Sequence, residues 1–143
     1  MKTVREILNK KGGAVWSVLP DATVYDALQL MAEKEAGSVL VIENGVIKGI
    51  LSERDYSRKV VLRGKISKDT MVTEIMSDKI ISVVPSQSVE ECMAIMINKK
   101  IRHLPVIENN ILSGIISIGD VVEAVLDEKD IAISELTRFI QGH

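Results

Sequence analysis

A chain of 143 residues, 46% apolar and 27% charged, has enough material for one ordinary domain with a real core. Its net charge of −2 supplies no global field for nucleic acid or an anionic membrane, and 3% aromatics leave no platform for stacking single-stranded bases. Cys92, the single cysteine, excludes an internal disulfide and a cysteine-rich zinc site. No run approaches the roughly 18 apolar residues that span a bilayer, and Met1 to Leu8 carries charges where a signal peptide would need an apolar stretch. The expectation is a soluble, cytoplasmic protein.

In chain order, a branched-residue run predicts a first strand over Ala14 to Leu19. Thr23-x-x-Asp26 resembles a capping box, and Val24, Ala27, Leu28 and Met31 follow at helical spacing. Two apolar runs, Val39 to Ile42 and Val46 to Leu51, flank Glu43-Asn44-Gly45, which suits a tight hairpin turn with positive φ. A second helix is expected over Glu53 to Leu62, then a polar, basic linker around Arg63 to Thr70. The order then repeats. A strand is predicted over Ile80 to Val84, and Ser88-x-x-Glu91 fits the capping box fully. Val89, Cys92, Met93 and Met96 stripe the next helix. Leu104 to Ile107 and Ile111 to Ile116 flank Glu108-Asn109-Asn110, and Ile118 to Leu126 closes the unit. The tail from Asp127 to His143 reads as helical again, with Ile131, Ile133, Leu136, Phe139 and Ile140 available for one face. Such a stripe must bury itself on its own module or on a second subunit.

From Ser17 and Ser82 onward the two halves align without a gap for about forty residues. Pro20 recurs as Pro85, 65 residues on, and the same offset pairs Val24 with Val89, Met31 with Met96 and Lys34 with Lys99. Val41-Ile42-Glu43-Asn44 falls on Val106-Ile107-Glu108-Asn109, Gly49-Ile50 on Gly114-Ile115, Ser52 on Ser117 and Asp55 on Asp120. Upstream, Val4-Arg5-Glu6-Ile7-Leu8 resembles Val72-Thr73-Glu74-Ile75-Met76, with three extra residues around Lys11-Gly12-Gly13 in the first copy.

A duplicated β-α-β-β-α unit with Gly-h-h-Ser-x-x-Asp at its second hairpin strand strongly resembles the cystathionine-β-synthase (CBS) domain family. Arg102-His103-Leu104-Pro105-Val106 also looks like the family's entry into the central strand, whereas the first copy reads Gly37-Ser38-Val39-Leu40-Val41. The resemblance implies an α/β (α+β) fold of tandem CBS repeats with pseudo-two-fold symmetry, forming one Bateman module. Repeat 1 would span residues 4–62, a linker 63–71, repeat 2 residues 72–126 and a helical tail 127–143. It further implies two clefts between the repeats, each able to hold an adenosyl ligand. The motif Asp would accept the ribose hydroxyls and the Ser would reach phosphate: Ser52 and Asp55 in one copy, Ser117 and Asp120 in the other. Lys11 to Trp16 would wall the cleft of Asp120, and Ser77 to Ile81 the cleft of Asp55.

The chemistry is intelligible from the residues as well. A Ser at a strand-to-helix switch places a hydroxyl and free N–H groups at a helix start, which favours an anion. A carboxylate repels phosphate but can accept both hydroxyls of a ribose diol. Ser-x-x-Asp is equally a capping box, and the two roles are compatible. Trp16 either contacts a purine or fills core space. Arg54, with Arg102 and His103, favours phosphorylated ligands (AMP, ADP, ATP or NAD) over cationic S-adenosylmethionine. Arg58, Lys59, Arg63, Lys65 and Lys68 read as a solvated helix face and linker. Gly119 stands where the first copy has Arg54, and Gly37-Ser38 where the second has Arg102-His103, so the two sites should be unlike. No Walker-type loop or His-Glu-x-x-His motif occurs, so the expectation is a non-enzymatic sensor, homodimeric, that signals to a protein partner. A ligand-free interaction scaffold is the alternative.

Overall fold

Asn44 and Gly45 turn at φ 53° and 76°, and Asn109 and Asn110 at 52° and 62°. These four left-handed residues build the same tight turn in both copies. Each turn closes an antiparallel hairpin: β2 (Ser38–Glu43) with β3 (Val46–Ser52), and β4 (His103–Glu108) with β5 (Ile111–Ser117). The register slips once in each hairpin, between Val41 and Ile42 and between Val106 and Ile107, leaving Lys48 and Ser113 as the extra residues of matching bulges.

The computed structural model describes residues 2–141, and the chain divides into two units. The continuous unit is Val15–Ile80. The discontinuous unit joins Met1–Ala14 to Ile81–His143. The continuous unit contains β1 (Ser17–Val18), α2 (Val24–Lys34), the β2–β3 hairpin, α3 (Glu53–Tyr56) and α4 (Val72–Ile75). The discontinuous unit contains α1 (Val4–Lys11), α5 (Val89–Lys99), the β4–β5 hairpin and α6 (Ile118–Ile140). The opening helix of each repeat therefore sits in the unit of the other repeat. The stitching is the same in both. Val24 N–H donates to Thr70 O and Val72 N–H to Ala22 O; in the other unit Val4 N–H donates to Gln87 O and Val89 N–H to Lys2 O.

The cores follow the repeat residue by residue. Val24, Ala27, Met31, Val39, Val41 and Leu51 are buried in one, and Val89, Cys92, Met96, Leu104, Val106 and Ile116 in the other. Val72 and Ile75 complete the first, and Val4 and Ile7 the second, all from the exchanged opening helices. Burial and the charge of Glu91 push the Cys92 thiol up to about 11. Alkylation at neutral pH should therefore leave folded protein unlabelled and modify Cys92 only as denaturant opens the core, which intact-mass analysis would read directly.

Four expectations are corrected. The segment Ile80 to Val84 is not a strand. Only Val83 bridges, donating to Pro105 O and accepting from Ile107 N–H. In the first copy Leu40 N–H donates to Trp16 O at 2.9 Å; Pro105 stands at the position of Leu40 and has no N–H to give. The helix expected over Glu53 to Leu62 is α-helical only to Tyr56. It continues through Ser57–Val61 as a π-type turn, with Leu62 N–H on Ser57 O. The tail is not a separate helix, because α6 runs unbroken to Ile140; Gly142 and His143 lie outside the described residues. The capping boxes also reverse. Thr23 and Asp26 make both reciprocal bonds, whereas Ser88 accepts from Glu91 N–H but meets the Glu91 carboxylate through its own hydroxyl.

Candidate functional site

In the discontinuous unit, Ser117 ends β5 and caps α6. Its hydroxyl accepts from Asp120 N–H at 3.2 Å, and its own N–H donates to Asp120 Oδ2 at 2.8 Å. The same carboxylate oxygen accepts from Lys11 Nζ at 2.7 Å, and that ammonium also donates to Ile115 O at 3.0 Å. Burial alone would raise the Asp120 carboxyl; the Lys11 ammonium and the Ser117 N–H outweigh it and hold the group below the usual carboxylate range. The bulge and two glycines bring Lys11 here. Gly12 leaves α1 at φ 90°, and Gly13 passes so close to the bulge that a Cβ would lie 2.5 Å from Ser113 O. That oxygen is backbone and cannot swing away. Gly13→Ala should cost about 1–3 kcal/mol in urea denaturation through this clash, and Gly12→Ala, with open space around it, should cost a similar amount through backbone strain, because φ 90° with ψ 168° is glycine's region.

The continuous unit repeats the arrangement with other parts. Ser52 caps α3, accepting from Asp55 N–H at 3.3 Å, while its N–H and hydroxyl donate to Asp55 Oδ2 at 3.0 and 3.1 Å. Here the cation is Lys59, 3.3 Å from Asp55 Oδ1 and donating to Ile75 O at 3.0 Å. Ser77 pairs with Ile50 through reciprocal backbone bonds of 2.9 Å. Gly49 makes room for this approach, since a Cβ there would collide with Met76 and crowd Ser77 O.

The expected residues are thus brought together in part. Lys11, Ser117 and Asp120 meet in one unit; Ser52, Asp55 and Ser77 share the other. Arg102 O accepts the Ile118 N–H at 2.8 Å and His103 pairs with Ser117 across the hairpin, so the basic pair borders the Asp120 motif. Gly37 and Ser38 hold the same places beside Ser52, and Arg54 lies on α3 itself. A Cβ at Gly119 would meet only Ser117 Oγ at 3.6 Å, so no crowding demands glycine there. Trp16 belongs to the continuous unit and Asp120 to the discontinuous one; Ile81 packs on the core of the discontinuous unit, and Asp55 belongs to the continuous one. Trp16 does not fill core space: it is 36% exposed, with the Lys34 ammonium 4.8 Å from its ring centre. Lys59 is no solvated face residue, and the Asp-x-x-x-Lys spacing on one helix could have revealed it. Lys65 and Lys68 are likewise engaged, by Glu74 and by the Tyr25 ring. Sequence reading also missed a groove of about 220 Å³ along α1 and α6, where Lys10 pairs with Glu123 and Asp127.

The family model described as "CBS domain" matches residues 4–61 and again 72–127. The chain belongs to the CBS domain family. It is 37% identical over 150 residues to the Arabidopsis thaliana "CBS domain-containing protein CBSX3, mitochondrial", covering 98% of this chain and 72% of that one. A solved structure from Burkholderia ambifaria, described as a putative signal-transduction protein with CBS domains, is 48% identical with a TM-score of 0.84, over 88% of this chain and 95% of that one. The CBS domain pair of protein MJ0100 shares the fold at 17% identity and TM-score 0.78, over 90% and 98% of the chains. That structure holds 5′-methylthioadenosine and S-adenosyl-L-methionine. Among the described residues, no helix is long and apolar enough to cross a membrane.

Proposed function

We propose that this CBS pair is a cytoplasmic, non-catalytic sensor that binds adenosine-containing nucleotides (AMP, ADP, ATP or NAD) and passes the occupancy to a protein partner. The observation that carries the reading is the duplicated Ser-x-x-Asp motif, whose carboxylate sits partly buried at a helix start beside an exchanged opening segment of the other repeat. A ligand seated there touches both repeats while remaining inside one unit. Ser117 and Ser52 offer hydroxyls to phosphate, and Asp120 and Asp55 offer oxygens to the ribose diol. The adenosyl ligands of the MJ0100 pair carry the same ribose diol but no phosphate, so they support the sugar half of this reading only. Arg102 and His103 beside one motif, and Arg54 on the other, favour an anionic ligand.

A melting panel with AMP, ADP, ATP, NAD and S-adenosylmethionine tests this. Any nucleotide present at about 100 times its Kd should stabilise the protein by roughly 2.7 kcal/mol. No shift with any of them would favour an interaction scaffold instead, in which the capped and ion-paired carboxylates serve structure alone.

The partner surface proposed for a second copy is α6 from Leu126 onward. Leu126, Ile133, Leu136 and Ile140 recur at heptad spacing, and all are more than half exposed. A chain ending at Val125 should therefore sediment as a monomer at concentrations where the full chain sediments as a dimer.

A further inference from the structure

Lys11 and Lys59 stand at unrelated positions in the two repeats yet hold the same place. Each ammonium reaches the motif carboxylate, at 2.7 Å for Asp120 and 3.3 Å for Asp55, and each also donates to one backbone carbonyl at 3.0 Å. Their side chains are 35% and 34% exposed, and those of the two aspartates 21% and 19%. By the repeat offset, the position of Lys59 is Ala124 in the second copy. The discontinuous unit lacks that helix lysine and draws its ammonium from the end of α1. Two different routes to one contact indicate a requirement for positive charge at this carboxylate, not the inheritance of one residue.

Resting on the reading that these carboxylates accept a ribose diol, we propose that each lysine is a tethered occupant of the sugar site and selects the ligand's charge. A ribose that takes the carboxylate replaces a charged donor with neutral hydroxyls, so the ammonium loses a charge-assisted bond. It regains one only if the ligand brings an anion close by. Lys11 Nζ and the Ser117 N–H share one oxygen, Asp120 Oδ2, so the freed ammonium stays beside the helix start where a 5′-phosphate would lie. A ligand with a neutral 5′-substituent offers no such partner, and a sulfonium repels the ammonium.

The test is calorimetric titration of AMP and 5′-methylthioadenosine into Lys11→Met in an Asp55→Asn background, which isolates the Asp120 site, with Lys11→Gln as a second variant. The converse pair is Lys59→Met in an Asp120→Asn background. The parent in each background should prefer AMP. Removing the lysine should cut the AMP to methylthioadenosine affinity ratio by about tenfold or more, with AMP weakened and methylthioadenosine unchanged or tightened. If the two ligands move together in either direction, the lysine only supports the fold and the inference fails. If the unmutated chain binds neither ligand, the nucleotide reading itself fails, which is a different result.

Discussion

Asp120→Asn should weaken adenine-nucleotide binding at its site by roughly 10–100-fold, the worth of charged hydrogen bonds to a diol, while lowering stability by less than about 1 kcal/mol. The small stability cost follows from what the amide keeps. Its oxygen still accepts the Ser117 N–H, so the cap on α6 survives, and the lost ion pair is a partly exposed one. The large binding cost follows from what it loses: an amide presents one acceptor where a carboxylate presents two. The pH dependence has a definite sign. The folded Asp120 carboxyl lies below its unfolded value of about 3.9. Its contribution to stability is therefore complete above that value and is lost as pH falls through the folded pKa. Binding followed from pH 8 to 5 should show no step from this group and should decline only below about 4. A step near neutral pH that disappears in Asp120→Asn would contradict the assignment.

The duplicated hairpins, the helix stripes and both Ser-x-x-Asp motifs were legible because each is local. Asn44-Gly45 and Asn109-Asn110 declare their turn by backbone chemistry, and Val24, Ala27 and Met31 declare a buried face by period alone. The missing strand at Ile80 to Val84 was legible in principle, since Pro105 lies opposite it and removes a donor that Leu40 supplies. The unbroken course of α6 was hidden by the charged run Asp127-Glu128-Lys129-Asp130, which reads as a boundary when solvent is the only neighbour considered. At the site, Lys11 was legible from the resemblance as a wall of the Asp120 cleft, but not its bond to the carboxylate. That bond depends on Gly13 passing Ser113 and Gly114 passing Leu8, contacts across about a hundred residues that no local pattern encodes. The same nonlocality hid the division of the chain, in which each opening helix completes the core of the other repeat.

That exchange has a measurable consequence. Ile75 belongs by sequence to the second repeat, yet it is 1% exposed in the core built around Leu51 and Val41. Ile75→Ala should cost about 2–5 kcal/mol, the range for deleting a fully buried aliphatic side chain. Leu51→Ala, in the same core, should cost a similar amount. Leu62→Ala removes a side chain that is 78% exposed and should stay within about 0.5 kcal/mol. The effect should also reach the site, because the Ile75 carbonyl anchors Lys59 beside Asp55. Urea midpoints at constant m would order the three variants. If Ile75→Ala behaves like Leu62→Ala while Leu51→Ala is strongly destabilised, the opening helix does not complete this core, and the anchoring of Lys59 falls with it.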